Sequence, residues 1–434
     1  MSIPVITVGQ SREDLVGGLE RLHGPVTVVR RCAELPELLA ACQSGLARAA
    51  VVAEGSEGLT ASLVDRLGAV GVVVVALTDS AEEAARLRKI GVASAQTGVE
   101  SAQLSDRIAE AVAQLTGGTR PTRLSAGSDT GAALLTEPVE PAPDTQGHGG
   151  GRVVAVWGPA GSPGRTTIAV NIAGELAADG QDVLLVDADT YGASVAAVLG
   201  LLDESAGLAQ ACRLADQGLL DADALRKVAA TVAMSSGTFR VLTGITRADR
   251  WTELRATALS LVLERAREVV DVVVVDTGFC LEADEEISFD TMAPRRNAAT
   301  LRPLELADTV YAIGAADPVG VPRMVRGLAD LEAAVPQVSP TVVMNKMRAS
   351  AVGRNPERQL RDAWERYGPA AGLAAFIPHD PAAADAALLG GSLLLEASPE
   401  SPLRHAIRGL VCAPGQRKAK SSVFSSTPRR RAND

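Results

Sequence analysis

The stretch WGPAGSPGRTTIAVNIA, Trp157 to Ala173, decides the fold. A strand-like run, GRVVAVW (151–157), leads into it, and an apolar helix-forming run, TTIAVNIAGELAADG (166–180), follows. A strand, a Gly-rich turn and a helix in that order let backbone N–H groups and the helix N-terminus converge on an anion. Gly161 and Gly164 allow the backbone to come close, with Ser162 and Thr167 in the same turn and helix start. Arg165 adds positive charge, and Thr166 is placed to put its hydroxyl on Mg²⁺. The expectation is a phosphate-binding loop formed by Gly161, Ser162, Gly164, Arg165, Thr166 and Thr167.

A Gly-Pro-Ser turn before a helix is common, so the weight lies with what accompanies it in order. DVLLVDADTYG (182–192) reads as a buried strand ending in Asp187 and Asp189. VVDVVVVDTG (269–278) is a second, ending in Asp276, where an acid at the carboxyl edge of a strand can hold magnesium through water. PTVVMNKM (340–347) brings Asn345, and FIPHDPAAADAALLGG (376–391) brings Pro378. Strands alternating with helices imply a mostly parallel sheet.

The chain has 434 residues, which suits two domains. Apolar residues make up 47% of it, yet no run approaches the ~18 to 20 that a membrane-spanning helix needs. The start, MSIPVITVGQ, lacks the basic and apolar regions of a secretory signal, which points to the cytoplasm. Five cysteines without C-x-x-C spacing read as reduced core residues. The net charge of −10 argues against a protein that coats nucleic acid.

Residues 1–115 contain five short apolar runs alternating with amphipathic stretches. They resemble a response-regulator receiver domain, a flavodoxin-like fold. Glu54 stands where that family has its phospho-accepting aspartate, and the acids after the first strand are displaced to Glu13 and Asp14. Thr78 matches, but VASAQTG offers no lysine. The resemblance thus implies a receiver-like fold without phosphotransfer chemistry, suited to docking or dimerisation. Residues 116–150, rich in Gly, Pro, Ser and Thr, read as a flexible linker, and 414–434 as a basic disordered tail.

Residues 151–413 resemble the MinD/ParA family of deviant Walker ATPases, and the TadZ/CpaE pilus-assembly branch in joining a degenerate receiver to a P-loop NTPase domain. The resemblance implies ATP and Mg²⁺ as cofactors. It makes Asp189 the switch aspartate that positions water, Asp276 the Walker B acid, Asn345 the adenine-reading residue and Pro378 the loop beside the base. Its loop runs roughly G-K-G-G-V-G-K-T-T, against P-A-G-S-P-G-R-T-T from Pro159 to Thr167 here. Ala160 replaces the lysine that crosses a dimer interface, and Arg165 replaces the lysine that bridges the phosphates. With 37 Arg to 5 Lys, drift from Lys to Arg is the plain account of Arg165, but Lys346 stays lysine where the resemblance has one, and drift does not produce Ala160.

The resemblance therefore implies an α/β fold and a leading function: a homodimeric, ATP-bound scaffold for a Tad-type pilus or secretion machine, with weak or no hydrolysis. Its partners would be a secretion ATPase or a membrane-associated assembly complex, with nucleic acid not expected. Membrane contact would be peripheral at most, at the inner face, because Val423 and Phe424 are the only large apolar residues of the tail. The alternative is an active ParA- or MinD-like ATPase that places chromosomes, plasmids or division sites. A third reading is a structural adaptor with a dead site. The acids Glu282, Asp284, Glu285, Glu286 and Asp290, followed by Arg295 and Arg296, read as a solvated loop or, since they follow the strand of the Walker B acid, as a switch-region loop that contacts a partner.

Overall fold

The computed structural model describes residues 2–9, 15–21, 24–116, 150–201, 205–283 and 294–412. The linker, the tail, Glu13 and Asp14, and the acids Asp284 to Asp290 of the loop after Asp276 therefore lie outside the described residues, apart from Thr116 and Gly150 at the linker's ends.

The first unit is built from β1 (Ile3–Val8), α1 (Leu15–Arg21), β2 (Val26–Cys32), α2 (Leu35–Gln43) and β3 (Ala49–Val52). It continues with α3 (Ala61–Ala69), β4 (Val73–Leu77), α4 (Ala81–Lys89), β5 (Ala93–Ala95) and α5 (Ser101–Thr116). Its strands are parallel in the order β2-β1-β3-β4-β5, the flavodoxin-like doubly wound arrangement. The middle strands AAVV and VVVAL are apolar throughout because helices cover both faces. Thr60 and Ser80 start α3 and α4 by accepting from Leu63 N and Glu83 N. Thr78 follows β4 directly and Glu54 lies two residues past β3.

In the second unit β6 (Arg152–Trp157), α6 (Arg165–Ala178), β7 (Val183–Ala188), α7 (Val195–Val198), α8 (Gly207–Asp216) and α9 (Ala222–Val228) come first. A hairpin of β8 (Ala230–Met234) and β9 (Gly237–Leu242) leads to α10 (Ala256–Val269), β10 (Val272–Thr277), α11 (Ala298–Leu306), β11 (Thr309–Ala315) and α12 (Gly320–Ala334). The chain then runs through β12 (Thr341–Met347), α13 (Ala349–Val352), α14 (Pro356–Tyr367), β13 (Leu373–Pro378), α15 (Pro381–Gly390), α16 (Leu394–Ala397) and α17 (Pro402–Val411).

Among the described residues this sheet has the order β13-β12-β11-β6-β10-β7-β9-β8, parallel except for the β8/β9 pair. One face packs against α6, α15, α16 and α17, the other against α8 to α12 and α14. The strand feeding the phosphate loop thus lies mid-sheet, with β10 and β11 as neighbours.

The two units touch. Asp216 Oδ1 accepts from Ser62 N at 2.7 Å, and Thr257 donates to Asp65 at 3.0 Å. Arg86 gathers carbonyls from both sides, Leu59 and Ser56 in its own unit and Gln217 across the contact, while Leu261 of α10 packs against both cores.

Candidate functional site

The loop between β6 and α6 turns on positive φ angles at Gly161 (113°), Ser162 (53°) and Gly164 (99°). Glycine adopts these at little cost, whereas Ser162 must be held there by its surroundings. The end of β12 holds it. Asn345 Nδ2 donates to Pro163 O at 2.7 Å and Lys346 Nζ to Ser162 O at 2.8 Å, with Lys346 itself at φ 58°. A side chain at Gly164 would run into Asn345 Nδ2, so this glycine is required twice over.

Beneath the loop the carboxyl ends of β7 and β10 place Asp187 opposite Asp276. Thr166 Oγ1 donates to Asp276 Oδ2 at 2.6 Å. Asp276 is fully buried and, among the described residues, its Oδ1 has no hydrogen-bond partner. Burial, then the charge of Asp187, hold its carboxyl well above the usual range. Asp187 is pushed up to about 7, chiefly by burial, against the N–H groups of Val195 and Asp189 that favour its charge. A buried oxygen without a partner, two carboxylates resisting ionisation and a threonine hydroxyl beside them suit a small hard cation. Thr166 and Asp276 therefore fit Mg²⁺.

Arg165 turns under the loop. Its Nε donates to Thr277 O at 3.1 Å, Nη1 to Gly158 O at 3.1 Å and Pro159 O at 3.4 Å, and Nη2 to Asp189 Oδ2 at 3.1 Å. The other oxygen of Asp189 accepts from the backbone of Tyr191 and Gly192. Both oxygens of the proposed switch aspartate are thus engaged.

Gly161, Ser162, Gly164, Arg165, Thr166, Thr167, Asp189, Asn345 and Pro378 line one cleft of about 690 Å³, and Asp276 lies below it, bonded to Thr166. The Asn345 amide is committed to the protein at both ends, since Oδ1 also accepts from Lys346 N. One Nδ2 hydrogen remains uncommitted among the described residues.

Some participants were not legible as such. Lys346 clasps the loop, and Tyr191 forms a cluster with Phe279 (ring centroids 4.9 Å apart), Arg296 (3.8 Å above its ring) and Asn297, whose Oδ1 accepts from Tyr191 OH at 2.7 Å. Arg296 also donates to Thr190 O. The expectation of a solvated loop holds for exposed Arg295 and fails for Arg296, because the Tyr191 face offers a cation–π seat and Thr190 an acceptor. The signal in sequence was the aromatic two residues after Asp189.

A profile of the CobQ/CobB/MinD/ParA nucleotide binding domain matches residues 154–393. An iron-sulfur cluster carrier protein of Deinococcus radiodurans is 36% identical over 114 residues, 24% of this chain, and the match spans only 33% of that relative's length. Similar solved structures include the septum site-determining protein MinD of Pyrococcus horikoshii with Mg-ADP (18% identity, 60% of this chain and 94% of that one, TM-score 0.46). Another is a ParA family ATPase of Chlorobium tepidum (18% identity, 60% and 98%, TM-score 0.49). With the profile covering more than half of its length, and a phosphate loop backed by buried acids inside the match, the chain belongs to the CobQ/CobB/MinD/ParA nucleotide-binding domain family.

Proposed function

We propose that the protein is an ATP-binding localisation and assembly factor for a Tad-type pilus or related secretion machine, acting as a nucleotide-stabilised dimeric scaffold with weak or no hydrolysis. The observation that carries this reading is the engagement of Arg165. Its guanidinium is satisfied by three carbonyls and Asp189, and Ala160 leaves the other lysine position without charge. Backbone N–H groups at Gly161, Ser162, Gly164, Thr166 and Thr167 remain to bind phosphate, with Pro378 and Asn345 beside the base. Thr166 and Asp276 would hold Mg²⁺, which when bound supplies charge that offsets the phosphate oxygens.

What is weakened is transition-state stabilisation. Losing one positioned donor costs roughly 10²- to 10³-fold in rate in comparable sites, and here a cation is absent while the water-positioning Asp189 is latched. With this reading goes the proposed division into a receiver-like unit (1–115), linker (116–150), NTPase unit (151–413) and tail (414–434), the layout of the pilus-assembly branch. Cluster transport, named for the Deinococcus relative, is not carried over, since the five cysteines lack C-x-x-C spacing.

The test is the thermal midpoint with and without Mg·ATP, together with phosphate release, in wild type and Asp276→Ala. At a hundredfold excess over the dissociation constant, ATP is expected to stabilise wild type by about 2.7 kcal/mol. Asp276→Ala should lose most of that shift, and phosphate release should stay at background. Robust release would instead establish a cycling ATPase, and no shift at all an adaptor with a vestigial loop. The assembly role is checked by direct binding of the purified chain to the secretion ATPase of the same organism.

A further inference from the structure

The outer bend of the phosphate loop has a cationic neighbour that neither the motif nor the family match singles out. Helix α12 is fixed close to the loop by two glycines. A side chain at Gly320 would collide with the carbonyl of Ala315 at the end of β11, and one at Gly327 would press on Trp157 and Pro159. Asp317 Oδ1 starts the helix by accepting from Val319 N at 3.0 Å and Gly320 N at 2.7 Å. Arg323, in its first turns, therefore projects from a rigid base.

Its guanidinium rests against Gly161, where any side chain would collide with Nη1. A recess of about 90 Å³ lies between them, with Ala160, Pro163 and Asp317 among its walls. Arg323 is exposed, and among the described residues its guanidinium makes no hydrogen bond or ion pair. The other cations at the loop are occupied: Arg165 as described, and Lys346 by Ser162 O. A guanidinium with unused donors beside a loop of backbone N–H groups has the chemistry of a phosphate ligand.

We infer that Arg323 is a phosphate-binding residue, supplying from α12 the positive charge that Ala160 cannot, directed at the terminal phosphate of a nucleoside triphosphate. Gly161 lies at the outer turn, upstream of the helix cap Gly164 where backbone N–H groups take the inner phosphates. Arg323 thus distinguishes triphosphate from diphosphate. The inference rests on the nucleotide-binding reading above and adds a residue to it.

The experiment is calorimetric titration of the full chain with Mg·ATPγS and with Mg·ADP, in wild type, Arg323→Ala, Arg323→Gln and Arg323→Ala/Ala160→Lys. Both single variants should weaken ATPγS about tenfold or more, leave ADP within about twofold, and keep the nucleotide-free thermal midpoint. Lysine at position 160 should recover most of the ATPγS affinity. Equal losses for the two nucleotides, or no loss while wild type binds, would overturn the role of Arg323 and leave nucleotide binding intact. Wild type binding neither nucleotide would remove both.

Discussion

Arginine at position 165 differs from lysine in more than bulk. A guanidinium offers five donors in a plane, and the loop of this protein presents acceptors that match it: Gly158, Pro159 and Thr277 carbonyls and the Asp189 carboxylate. An ammonium has three donors on a flexible stem and could not hold all of these at once. The double variant Ala160→Lys/Arg165→Lys is therefore expected to raise phosphate release from background by at least about tenfold, read in a coupled phosphate assay. Arg165→Ala alone should free Asp189 without restoring turnover. At this scale the sequence disclosed which residues meet but not how they point. Gly164, Thr166 and Asp276 follow from local motif chemistry. The direction of Arg165 depends on Thr277, supplied by a strand 112 positions away in the chain, and no local pattern carries that.

Helix α6 is the element on which the site hangs, and it is buried from Ile168 to Ala177. A helix so enclosed has no polar face to set its rotation. Glu175, 3% exposed, takes that part by accepting from Arg404 of α17 at 2.6 Å, with Arg408 at 3.8 Å. Arg404→Ala should lower stability by about 3 kcal/mol in urea titration, since a buried carboxylate would lose its nearer partner, and Arg404→Lys should lose less. Elements with strong apolar runs, such as β10 and β4, were legible because both faces are covered. The β8/β9 hairpin was not, because ATVAM and GTFRVL mix polar and apolar residues at the edge of the sheet, where burial is partial. The run ALLGG at the end of α15 shows the converse, with Leu388 and Leu389 exposed despite their apolar character.

At the scale of the molecule, the N-terminal unit rests directly on α8 and α10 through α3. Arg86 is central because one side chain binds carbonyls of both units. Cleavage within residues 117–149 by limited proteolysis should leave the two pieces of wild type co-eluting on gel filtration. Arg86→Ala/Asp216→Ala should let them separate. Composition predicts two units with a stretch between them, whereas the contact between the two sheets' helices was hidden, since it depends on isolated polar residues spread over both.

The strand order also governs how the chain comes into being. The first sheet uses only neighbouring segments and can close once α5 is made, while β6 waits for partners that begin at Val272 and Thr309. Pairings between distant segments form slowly, and during synthesis the N-terminal unit folds first. When α8 and α10 leave the ribosome, a finished surface on α3 and α4 is already there to receive them. The phosphate loop is translated long before Asn345 and Lys346, so the nucleotide pocket is among the last places in the protein to acquire its shape.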